Sequence, residues 1–107
     1  MLVGMDVELL VVPNCPNEAV AYDLICAALT DLGVVASVRT TVIQSDEQAQ
    51  THGFIGSPTF LINGQDPFSE PGAVASVACR MYRTDTGLAG VPARDDLREA
   101  LRAGALA

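Results

Sequence analysis

A mostly apolar run comes early in the chain, from Val7 to Val12, with Glu8 its only polar position. Its length suits a strand better than a helix, and so few polar residues predict a central strand buried on both faces. Pro13-Asn14-Cys15-Pro16-Asn17 breaks the run, and Pro16 fits the first turn of a helix, where its missing N–H leaves nothing unpaired. The pattern from Asn17 to Leu32 is helical, with Val20, Leu24, Ala27 or Ala28 and Leu32 on one face and Gly33 as the C-cap. Val34 to Ile43 alternates through Val38, Thr40 and Val42 and predicts a second strand. Ser45 with Gln48 has the spacing of a capping box, opening a short helix over Asp46 to His52 that Gly53 closes.

Gly56-Ser57-Pro58 is a turn, and Thr59 to Ile62 predicts a third strand that stops at Asn63-Gly64. Asn-Gly favours a tight hairpin, yet a long loop over Gly64 to Ala78 follows it. Cys79 to Thr84 predicts a fourth strand, broken by Asp85-Thr86-Gly87, and Pro92 to Ala103 predicts an amphipathic helix carrying Leu97 and Leu101. The order is β-α-β-α-β-β-α, an α/β fold. A right-handed crossover makes the first two strands parallel neighbours, and the last two are expected to close an antiparallel edge. The expectation is a mixed four-stranded sheet flanked by helices.

Size and charge narrow the field. A chain of 107 residues, half of them hydrophobic, predicts one globular domain over residues 1–107. Thirteen acidic residues against six arginines and no lysine give a formal charge of −7. That argues against nucleic acid or an anionic membrane surface as a partner, since both need basic patches. The start of the chain has no charged segment ahead of an apolar one, and Val7 to Val12 is too short to span a bilayer. The expected location is the cytoplasm, where three cysteines are reduced thiols rather than a disulfide framework.

Two marks stand out: Cys15-Pro16 where the first strand meets the first helix, and Ser57-Pro58-Thr59 opening a later strand. Together with Gly64-x-Asp66-Pro67-Phe68, Cys79-Arg80-x-Tyr82 and Gly87-Leu88-Ala89-Gly90, they make the chain resemble the thioredoxin-like superfamily. Within it, the chain is similar to small bacterial proteins of unassigned function, some loosely labelled alkylmercury lyase. The resemblance implies a thioredoxin-like fold and a cis peptide bond before Pro58. It also implies that Ser57, Pro58 and Thr59 hold the backbone of an extended peptide or of glutathione. One departure is plain: the position three after Cys15 is Glu18, so no Cys-x-x-Cys is present.

Cys15 is the expected nucleophile, because backbone N–H groups converge at the start of a helix and favour a thiolate, while Glu18 opposes it. The implied function is thiol–disulfide or thiol-transfer chemistry with protein or glutathione thiols, a thiol-disulfide oxidoreductase lacking the second cysteine. Cys79 is either a resolving thiol or a buried thiol at the start of an edge strand. A simple hairpin would carry it to the far pole, roughly 15 Å along the third strand, unless the long loop redirects the chain. Pro16, Ser57, Pro58, Thr59 and Phe68 are the candidate substrate contacts. Phe68 anchors a loop that covers a groove, makes a homodimer contact, or is simply solvated. Cys26, within the first helix, is expected to be an inert core thiol. Arg80 and Tyr82 share one strand face and are expected to decorate its exposed side. There is no phosphate loop, dinucleotide fingerprint or zinc-ligand spacing, so neither cofactor nor resident metal is expected. The rival readings are a non-catalytic adaptor using the same groove, and capture of a thiophilic metal or mercurial by Cys15 with Cys79.

Overall fold

The computed structural model describes residues 5–106. Its elements are β1 (Met5–Val11), α1 (Glu18–Leu32), β2 (Ala36–Val42), α2 (Asp46–His52), β3 (Thr59–Ile62), β4 (Tyr82–Thr84), β5 (Gly87–Ala89) and α3 (Arg94–Leu106). β1 lies in the middle of a mixed three-stranded sheet of order β2-β1-β3. It runs parallel to β2, with Val7 opposite Val38, and antiparallel to β3, with Leu9 opposite Phe60. The run read as a doubly buried strand is one: Val7, Leu9 and Val11 face a core shared with Ala21, Ile25, Leu97 and Leu101 of α1 and α3. Leu10 faces the other way, into a smaller cluster with Ile43, Ala49, Phe54 and Leu61 beneath α2.

Glu8, the polar exception in β1, accepts hydrogen bonds from Thr41 and Arg39 of the adjacent strand. Burial pushes its carboxyl up, but those two bonds, with the charges of Arg39 and His52, outweigh burial and hold it below its ordinary range.

The expected four-stranded sheet does not form. β3 is four residues long, and Asn63 and Gly64, both at positive φ, turn the chain at once. Gln65 pairs with Ile62, and then Pro67, which has no N–H to give, ends the ladder. Asp66 accepts the Phe68 N–H on its carboxylate at 2.8 Å, which folds the loop back toward the domain. The segment expected to pair with β3 therefore leaves its edge. Tyr82–Thr84 pairs instead with Gly87–Ala89, across the two-residue turn Asp85-Thr86, as a separate two-stranded hairpin. The strand β5 was not expected, because a three-residue segment bearing one glycine has no readable alternation.

α2 follows its signals closely. Ser45 Oγ accepts the Gln48 N–H at 3.2 Å, Gln48 Oε1 in turn accepts the Gln44 N–H at 2.7 Å, and Gly53 closes the helix in the left-handed region. α1 packs on a face that only partly matches the one expected, since Ala28 is buried and Leu24 and Leu32 lie against the core but Val20 does not. Ala21, Ile25, Ala28 and Leu29 are buried, whereas Val20 is 52 % exposed. Apolar residues lie most of the way around this helix, so packing against α3 and β1 chooses the stripe. The same packing turns Cys26 outward, so it is an exposed thiol and not a core one. Among the described residues no helix is long and apolar enough to cross a membrane.

Gly104 marks where α3 crosses the sheet: a Cβ there would fall 2.5 Å from Ile62 Cγ2 and 3.1 Å from the Met5 sulfur. In an open helix Gly→Ala gains up to ~1 kcal/mol. Here Gly104→Ala is expected to lose about 1 kcal/mol or more by urea unfolding, because the added methyl overfills the crossing. In an Ile62→Ala background the same change is expected to become neutral or stabilising. Equal effects in the two backgrounds would contradict the contact.

Candidate functional site

Cys15 occupies the connection that carries β1 into α1. Asn14 takes a positive φ of 59°, and the Cys15 N–H donates to the Val12 carbonyl at 3.3 Å, closing a tight turn. The Cys15 carbonyl then accepts the Glu18 N–H at 3.2 Å, where the helix begins. Asn17 caps without a side-chain hydrogen bond. Cys15 is 9 % exposed. It opens into a shallow hollow of about 450 Å³, lined also by Pro16, Glu18, Ala19, Tyr22 and Asp23. Two carboxylates thus stand around the thiol, and the hollow favours neutral or cationic molecules over anionic ones.

A second turn lies beside this one. The Ser57–Pro58 peptide bond is cis. The Ser57 hydroxyl accepts the Val12 N–H at 3.0 Å, so Val12 touches both turns: its N–H goes to Ser57 and its carbonyl to Cys15. The other polar groups around Pro58 are satisfied from the far side. Ser57 N–H donates to Ala78 O at 2.7 Å and Arg80 N–H donates to Ser57 O at 3.0 Å. Thr59 Oγ1 donates to Gly56 O at 2.6 Å, and the Tyr82 hydroxyl donates to Pro58 O.

Arg80 is the hub of that far side. It is 8 % exposed, and its guanidinium meets Asp66 at 2.7 Å, the Phe68 carbonyl at 2.7 Å and Thr59 Oγ1 at 3.2 Å. It also lies 4.6 Å from the centroid of the Tyr82 ring, a cation–π arrangement. Phe60, Phe68 and Tyr82 pack edge to face on one another, with centroids 5.5 to 6.3 Å apart. Gly56 is required by the closeness of this packing: its φ is 144°, and a Cβ would fall 2.7 Å from Arg80 Cβ.

These contacts revise several expectations. Arg80 and Tyr82 do share a face, but that face is buried: Arg80 meets the carboxylate of Asp66 and the Tyr82 hydroxyl meets the Pro58 carbonyl. Phe68 is half-buried, its ring packed against the core on Phe60 and Tyr82 after the Asp66 turn, and it also lines a hollow. Ser57 and Thr59 are almost fully buried, and Pro58 is among the fully buried side chains. The backbone N–H and C=O of Ser57 are already paired within the chain, so they are not free to hold an extended partner. Pro16 is exposed beside Cys15.

Cys79 is not carried to the far pole, nor is it buried. The loop brings the chain back so that Cys79 pairs in parallel with Ser57, and its thiol is exposed. It lines a different hollow of about 420 Å³, with Phe68, Glu70, Arg83 and Asp96 among its walls. The three cysteines are free thiols. Residue alternation gave the shared face of Arg80 and Tyr82. The signal that was missed is their neighbour Asp66, whose buried carboxylate completes the set. No protein-family model matches the chain, and comparison with characterised proteins returns no match either.

Burial drives the Tyr82 phenol well above its ordinary range; the charge of Arg80 pulls it down and that of Asp66 pushes it up. A folded value raised in this way means that the neutral phenol contributes stability fully below the unfolded value of about 10, and loses it as pH rises further. Tyr82→Phe is expected to cost about 1–2 kcal/mol near neutrality, since the buried Pro58 carbonyl loses its donor. It is also expected to flatten the alkaline fall in stability, read by urea midpoints near pH 8 and about pH 11. An unchanged alkaline slope would mean that Tyr82 ionises freely.

Proposed function

We propose that this chain is a thioredoxin-like thiol–disulfide exchange protein that works through Cys15 alone. The observation that carries the reading is the joint placement of two turns: the Cys15 thiol at the head of α1 and the cis Ser57–Pro58 turn, tied together through Val12. Support for the fold assignment comes from the βαβ start, β3 antiparallel to β1, and a first helix that begins just after the cysteine. Three free thiols suit a reducing compartment such as the cytoplasm.

In the forward step the Cys15 thiolate attacks one sulfur of a partner disulfide. That S–S bond breaks, a Cys15–partner disulfide forms, and the other sulfur leaves as a thiolate that takes up a proton. An outside thiol then attacks the mixed disulfide, restores Cys15 and supplies the electrons. No other cysteine lines the hollow at Cys15, which supports an outside thiol rather than Cys79 as the resolving group. That the two thiols line different hollows also weighs against joint capture of a thiophilic metal. The adaptor reading is weakened by the occupied backbone of Ser57, which leaves that edge without free partners. The partner makes its contacts instead with Pro16, Ala19 and Tyr22 around the sulfur, and Glu18 and Asp23 set a preference for neutral or cationic disulfides over glutathione.

In a Cys26→Ser/Cys79→Ser background, cystamine is expected to form a mixed disulfide with Cys15, seen by intact mass and lost in Cys15→Ser. Cystamine, a dication, should react faster than the anionic oxidised glutathione, and high salt should narrow the gap. A Cys15 that forms no adduct with either disulfide until the protein unfolds would overturn the reading.

A further inference from the structure

Successive hydrogen-bonded pairs in an antiparallel ladder recur every second residue. Along β1 and β3 the register sets Glu8 opposite Leu61 and Leu10 opposite Thr59. Continued two residues further, the same register would set Val12 opposite Ser57, with the Val12 N–H meeting the Ser57 carbonyl. That carbonyl has turned outward to accept the Arg80 N–H, and the Ser57 N–H has turned outward to Ala78. The Ser57 hydroxyl takes the vacated place and accepts the Val12 N–H at 3.0 Å. The other end of the ladder uses the same device, with Asn63 Oδ1 accepting the Asp6 N–H at 3.1 Å. At the Ser57 end the substitution has a chemical neighbour, because the Val12 carbonyl on the next peptide closes the turn that holds Cys15.

We infer that Ser57 is a positioning residue for Cys15: its hydroxyl fixes Val12, and Val12 fixes the turn that presents the thiol. This assigns Ser57 a role distinct from partner binding, for which all of its polar groups are already engaged. The inference rests on the reading of Cys15 as the reacting thiol. Ser57 is 1 % exposed, so the hydroxyl has no competing solvent, and losing it leaves the Val12 N–H without its acceptor.

The test compares Ser57→Ala with Ser57→Thr, which keeps the hydroxyl, in the Cys26→Ser/Cys79→Ser background. Three quantities are read: the Val12 and Cys15 amide exchange rates, the rate of mixed-disulfide formation with cystamine across pH, and the urea midpoint. In Ser57→Ala, exchange at Val12 is expected to rise and the cystamine rate to fall about fivefold each, the equivalent of one ordinary hydrogen bond. The pH profile should shift with the rate, and Ser57→Thr should return the exchange and cystamine readouts towards the parent even where its urea midpoint stays as low as that of Ser57→Ala. Equal losses in both variants that track only the urea midpoint would overturn the inference, as would unchanged exchange at Val12. If the parent forms no Cys15 adduct at all, the exchange reading itself fails, while Val12 amide exchange still decides whether the hydroxyl braces the turn.

Discussion

Arg80 and Asp66 meet inside the domain, their side chains 7 % and 8 % exposed, with nitrogen and oxygen 2.7 Å apart. Taking two charges out of water costs several kcal/mol per ion, and only close geometry with further hydrogen bonds offsets it. Here the guanidinium also reaches the Phe68 carbonyl and the Thr59 hydroxyl and lies against the Tyr82 ring. Much of the surrounding architecture follows from that demand. Gly56 has no side chain because Arg80 needs the space, Asp66 turns the loop so that Phe68 faces inward, and the Tyr82 hydroxyl reaches the Pro58 carbonyl. The pair links a loop of low regularity to the Ser57–Pro58 turn.

From that node the constraint passes through covalent and hydrogen-bonded neighbours towards the sulfur. Arg80 N–H holds Ser57 O, Ser57 Oγ holds Val12 N–H, and Val12 O holds Cys15 N–H. The first two links are 3.0 Å and the last is 3.3 Å, and the Ser57 and Arg80 ends are shielded from water. The chain of bonds accounts for a long loop in a small domain: it supplies, from behind, the support that a fourth sheet strand would otherwise give. It also holds the turn of Cys15, which its own helix supports on one side and Ser57, through Val12, on the other.

The sequence made some of this legible. The doubly buried β1, the Ser45–Gln48 cap of α2, and Leu97 with Leu101 on α3 could be read because periodicity and capping are local. The meeting of the Cys15 and Pro58 turns came from resemblance rather than from spacing. What failed was non-local. On α1 the edge of the buried stripe was misplaced at Val20, and Cys26 with it, because much of that helix is apolar and only packing selects a face. Arg80 and Tyr82 were read as surface residues because charged and phenolic side chains usually are. Arg80 is paired in the interior by Asp66, fourteen residues away across an irregular loop that no pattern describes. The fourth strand failed for a related reason, since Asp66-Pro67 ends the ladder and the hairpin β4–β5 takes the strand that remained.

The central claim is that the buried Arg80–Asp66 pair is the brace of the site. It is tested most directly by a double-mutant cycle, with Arg80→Met, Asp66→Leu and the double variant compared by urea unfolding. The account predicts that each single change costs about 3–5 kcal/mol, because it leaves an uncompensated buried charge, and that the double variant costs far less than their sum. Single losses below about 1 kcal/mol that simply add would show that the pair is an incidental contact.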